Sequence, residues 1–143
     1  MTNLFPTDTA GLSEAVASPT VDLAADADFR LGITPVRKRL GDHTVRMLGY
    51  NGSIPGPTLR VPEGSEIQVH VHNDGDLEAT VHWHGLRLDN RSDGTHETQQ
   101  PIPVGGDFSC RVQFPDAGLY WYHPHVDSPR QVGNGLYLSL IHI

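Results

Sequence analysis

Cysteine is nearly absent from this sequence. Cys110 is the single one in 143 residues, so no disulfide framework can form within the chain. Methionine is scarce as well, limited to Met1 and Met47. Nowhere do the ~18 consecutive apolar residues of a membrane-spanning helix occur. Basic residues are outnumbered, 10 Lys and Arg against 17 Asp and Glu, for a net charge of −7. Such a balance argues against nucleic acid, whose phosphates call for a basic surface. Residues 1–20 lack the basic start and apolar stretch of a secretory signal, and carry Asp8 and Glu14 instead.

What is present fits one folded domain. A length of 143 residues suits a single core, and 37% hydrophobic with 19% charged residues is ordinary for a globular chain. Residues 1–27, rich in Ala, Ser, Thr, Pro and acidic side chains, read as a mobile leader or a strap, with room for a short helix over 12–16. From Asp28 the texture changes. Turn signals such as Asn51-Gly52, Pro62-Glu63-Gly64, Asn73-Asp74-Gly75, Asp93-Gly94 and Gly105-Gly106 recur about every ten residues, with no long helical period between them. This predicts an all-β sandwich or barrel over 28–143. Within it, Ile67, Val69 and Val71 alternate with Gln68, His70 and His72. Likewise Phe108, Cys110, Val112 and Phe114 alternate with polar residues, which places Cys110 in the core.

Nine histidines are present, and six of them form His-x-His pairs: 70/72, 82/84 and 123/125. On a strand, residues i and i+2 share a face, and two such pairs on neighbouring strands would form a compact square of imidazoles. Neutral imidazole suits copper, zinc, nickel or iron, whereas calcium and magnesium require oxygen ligands. His82-Trp83-His84-Gly85 ends in a glycine that permits close backbone approach, and Trp83 points the other way, toward the core. His123-Pro124-His125 follows the bulky run 119–122, and Pro124 ends strand pairing there. These two pairs are the candidate metal ligands. His70 and His72 lack such flanks and read as solvent-facing residues.

Three further stretches sharpen this. The run Tyr50-Asn51-Gly52-Ser53-Ile54-Pro55-Gly56-Pro57-Thr58-Leu59-Arg60-Val61 resembles a segment of the first domain of multicopper oxidases. His82-Trp83-His84-Gly85 and Tyr120-Trp121-Tyr122-His123-Pro124-His125 resemble that domain's two copper-binding motifs, and 98–106 resembles the connection between them. The resemblance spans about residues 45–137. It implies a Greek-key β-sandwich of cupredoxin type and a laccase-like oxidase that passes single electrons from a reducing substrate to dioxygen, yielding water. On that pattern His82 serves a type 2 copper, and His84, His123 and His125 serve a type 3 copper pair. Asp93 matches a family carboxylate beside the cluster, a candidate for relaying protons; a plain Asp-Gly turn residue is the equal alternative.

A type 1 copper needs a Cys thiolate flanked by two His and a weak axial ligand, and Cys110 has no such company. The remaining ligands are therefore expected from C-terminal cupredoxin domains or a second subunit, and this chain alone is expected to be inactive. Residues 138–143 depart from the family pattern and read as a truncated frame or adapter scar, so His142 is left out of any site. Compartment stays open: the visible start points to the cytoplasm, family habit to the periplasm or exterior. The competing reading is a non-catalytic copper-binding sandwich, a carrier or storage module. A copper nitrite reductase would need type 1 ligands that this chain lacks.

Overall fold

The computed structural model describes residues 6–142. Two sheets face each other. One carries β1 (Thr20–Asp22), β4 (Thr58–Val61), β9 (Leu138–His142), β8 (Gly118–His123) and β6 (His82–His84), in the spatial order β1-β4-β9-β8-β6. The other is β3-β2-β5-β7, built from β2 (Asp28–Leu40), β3 (His43–Tyr50), β5 (Glu66–Asn73) and β7 (Asp107–Gln113). From β3 to β8 the chain alternates between the sheets, and β9 then returns beside β8; β2 with β5 and β4 with β9 lie side by side in parallel. The result is an all-β Greek-key sandwich, as expected.

The core is what the alternation predicted. Ile67, Val69, Val71, Cys110, Val112 and Phe114 are buried together with Trp83, Tyr50 and Tyr122. Gln68, His70 and His72 face outward and are only half-buried. One intersheet aromatic, Tyr122, does double duty. Tyr122 packs against Tyr50 and Trp83, ring centroids 5.1 Å from each, and donates its hydroxyl to the Pro57 carbonyl at 3.0 Å. It thereby ties β8 to the turn before β4.

Residues 12–16 are extended, not helical: Glu14 bridges Arg37 and Val16 bridges Ser53, and β1 then pairs with β4. The strap thus runs along both sheets, with backbone bonds supplying what its composition cannot supply by burial. One element has no counterpart in the sequence reading, a six-residue helix α1 (Ser128–Gly133) directly after the second histidine pair. Its buried Gln131 donates to the carbonyls of Glu78 (3.2 Å) and Val126 (2.6 Å). That amide fastens the loop leaving β8 to the segment leading into β6, and so sets the distance between the two histidine motifs.

Candidate metal centre

Strands β6 and β8 pair antiparallel with His82 opposite His123, Trp83 opposite Tyr122, and His84 opposite Trp121. Strand parity then decides the faces. Trp83 and Tyr122 enter the core, fully buried, while His82, His84, His123 and Trp121 share the outer face. The square expected from two facing pairs does not form. Its fourth corner is Trp121, because Pro124 stops the pairing and His125 lies beyond the strand end. From there the His125 amide donates to Thr80 Oγ1 at 3.1 Å, and its ring returns to within 4.5 Å of the His82 ring.

All four histidines nevertheless converge. Ligating nitrogens of His82, His123 and His125 lie within 4.8 Å of one another. His84 Nδ1 and His123 Nε2 are 3.3 Å apart. Asp93 joins them: the 3-10 turn Asn90–Ser92, capped by the Asp89 side chain, delivers it beside His82. Its carboxylate is 3.3 Å from His82 Nδ1, yet the closer contact is its main-chain carbonyl at 2.7 Å. Gly94 makes that approach possible. A Cβ there would sit 2.0 Å from the Val81 carbonyl oxygen, and its φ of +74° is one that side chains disfavour.

Two tautomers follow from acceptors that cannot donate. His82 Nδ1–H donates to the Asp93 carbonyl, and His123 Nδ1–H donates to the Pro124 carbonyl at 3.0 Å. Each leaves Nε2 with its lone pair directed into the site, the arrangement that orients histidine as a metal ligand. Protonation is opposed as well. Burial, reinforced by the neighbouring imidazoles, depresses the pKa of His123, although its bond to Pro124 pulls the other way. Burial and His82 depress that of His125.

The donor set therefore fits a late first-row metal ion: several neutral imidazoles and only one carboxylate at the margin. The 3.3 Å spacing is itself a metal bite, since two bonds of about 2.0–2.1 Å at a tetrahedral angle put their nitrogens about 3.3 Å apart. Thr80 and Trp121 belong to this site but escaped the sequence reading as individuals, and Pro124 was read for ending the strand, not for the carbonyl it offers His123. Trp121 alone had a usable signal, its parity with His123.

The other candidates lie elsewhere. His70 bonds Ser109 at 2.9 Å and Asp28 at 2.8 Å on the opposite sheet's outer face, and His72 bonds Asp107 and Asp74 at 2.8 and 3.1 Å. Cys110 is buried, with its thiol pushed up to about 12 by desolvation, and no histidine is among its partners. The side chain of His142 falls outside the described residues. No described helix is long and apolar enough to cross a membrane.

Comparison with known proteins agrees with this geometry. A family model described as multicopper oxidase matches residues 34–142. The multicopper oxidase MmcO of Mycobacterium tuberculosis is 45% identical over 107 residues, covering 75% of this chain and 21% of that protein. A putative laccase of Oryza sativa is 36% identical over 130 residues, covering 88% and 22%. Among solved structures, a multi-copper oxidase from Pseudomonas thermotolerans superposes with a TM-score of 0.76 at 34% identity, over 88% of this chain and 30% of that one. A blue copper oxidase from Nitrosomonas europaea gives 0.78 at 34%, over 82% and 38%. The chain spans about a fifth of the length of these curated relatives. With its cupredoxin-type sandwich and its histidine motifs in register, the chain belongs to the multicopper oxidase family.

Proposed function

We propose that this chain supplies one side of a trinuclear copper cluster in an oxidase that transfers electrons from a small reducing substrate to dioxygen. His82 would hold the type 2 ion, and His84, His123 and His125 the type 3 pair, with His84 and His123 sharing one ion. The observation that carries this reading is the 3.3 Å spacing of His84 Nδ1 and His123 Nε2, beside two imidazoles whose outer nitrogens are already tied to carbonyls. Bound copper would supply one-electron transfer and a place for dioxygen to accept electrons. The protein's own share is orientation and proton handling. The carbonyls of Asp93 and Pro124 fix two ring tautomers, and the Asp93 carboxylate is 29% exposed, open to water on one side and near His82 on the other. It can therefore hold a proton or a water molecule next to the reacting oxygen.

Four histidines are too few for three metal ions, so the other ligands come from a further cupredoxin domain or a second subunit. The surface beside the cluster supports a covering partner. Leu119 (75% exposed), Trp121 and Tyr137 are exposed large apolar side chains there. Isolated, this domain would be inactive. The test is metal content and oxygen uptake of the intact protein. Copper bound in the wild type, lost together with oxygen uptake in His84→Ala or His123→Ala, is the expected result. Tight copper binding by this domain alone, without oxygen consumption in any assembly, would instead make it a carrier or storage module.

A further inference from the structure

We propose that Trp121 is a positioning residue, the indole that holds His84 and His123 at metal-binding separation; this rests on the metal reading of those two histidines. The register sets it up. Trp121 faces His84 across the β6–β8 pair and precedes His123 by two residues on the same outer face. Its ring stacks on His123 with centroids 4.0 Å apart and planes inclined by 27°. The same ring is 5.0 Å from His84 at 36°. One flat side chain therefore contacts both imidazoles, whose nitrogens face each other at 3.3 Å.

Neither imidazole could keep that orientation unaided. His123 has its Nδ1 bond to Pro124, which fixes one axis but leaves tilt about that bond free. For His84 the single described hydrogen bond is the one to His123 Nε2. That bond holds only while a proton sits between the two rings. Two nitrogens sharing an ion would have no proton between them, and rotation of each ring about its metal–nitrogen axis would then be left to packing. His82 meets both rings edge-on, at 5.6 and 5.3 Å, whereas Trp121 lays its face along both at lower inclination and, for each, shorter range.

Burial of the indole does not explain its presence. Trp121 is 38% exposed. With Pro55, Tyr137 and Leu138 it lines an open cavity of about 280 Å³. The core aromatics on this strand are Tyr122 and its partners, on the other face. The most substantial ring contacts of Trp121 are with the two histidines.

The intact protein, stripped of metal, is titrated with zinc (a redox-silent ion) and with cupric ion. Bound metal is measured after dialysis and tryptophan emission is followed throughout. Trp121→Leu keeps apolar bulk without a flat face, and Trp121→Phe keeps a ring. The metal-free melting temperatures of both should match the wild type. Trp121→Leu should bind the shared ion about tenfold more weakly, the low end of the loss when groups orienting metal ligands are removed. Trp121→Phe should restore most of it, and copper should quench the wild-type emission through the stacked ring. Wild-type affinity in Trp121→Leu, with binding still lost in His84→Ala, would overturn the positioning role alone. Unchanged binding in His84→Ala would overturn the metal reading beneath it.

Discussion

His82 Nδ1 lies 2.7 Å from the main-chain carbonyl of Asp93 and 3.3 Å from its carboxylate. The shorter bond is to the group that no side-chain substitution removes. Orientation of His82 and proton handling by Asp93 are thus separable by mutation.

Asp93→Asn should keep the metal content of the intact protein, because the carbonyl still fixes the His82 tautomer, while slowing turnover about 10²-fold, the lower range for a lost general acid or base. Gly94→Ala should lose metal itself, and turnover with it. Its Cβ would meet the Val81 carbonyl at 2.0 Å, so the loop must retreat and take the Asp93 carbonyl with it. A cost of about 1–3 kcal/mol for a strained left-handed residue adds to that displacement. Metal analysis and oxygen uptake on the two variants decide it. Equal metal loss in both would show that the carboxylate, not the carbonyl, orients His82.

The ion pair between Arg46 and Asp76 holds the loop that leads from β5 toward the site. Its shortest contact is 2.6 Å, and the side chains are only 15% and 9% exposed. The bond to Asp76 raises the Arg46 pKa against the cost of burial. Asp76→Ala leaves a part-buried guanidinium with its bond to the Asp8 carbonyl alone, and a loss of about 1–3 kcal/mol is expected. Asp116→Ala breaks the pair with Arg87, 2.8 Å long, but that pair is 74% and 49% exposed, and the loss should stay below about 1 kcal/mol. Urea unfolding of both variants tests the contrast, and similar midpoints would refute it.

How much of this was legible beforehand follows from periodicity. A period of two told which side chains face out, so His82, His84 and His123 and the buried Trp83 and Cys110 could be assigned a face from sequence, whereas His125 lies past the strand end, where parity stops. Parity does not give register. Whether His84 opposes His123 or Trp121 depends on where the connection between β6 and β8 ends, and Gln131 on α1 helps set that. The helix itself is six residues long, too short for a 3.6-residue period to register, although Pro129 at its start is a helix signal. Asp93 was found for its carboxylate, but its closer contact to His82 is a carbonyl, and sequence patterns are blind to main-chain atoms.

His72, outside the metal site, supplies the pH dependence. Its two ring nitrogens face Asp107 and Asp74. A neutral ring can donate to only one of them, so the fold favours the imidazolium, and the bond to Asp107 is the largest cause raising its pKa above 6.5. On the β2 side its register neighbour is the uncharged Gly32. A raised folded pKa means the added stability is fully present below the ordinary value and is lost as pH climbs through the raised one. The urea midpoint should therefore fall as pH rises from just below 6.5 through the raised value, and His72→Gln should flatten that slope. A slope that survives His72→Gln would move its origin to another titrating group.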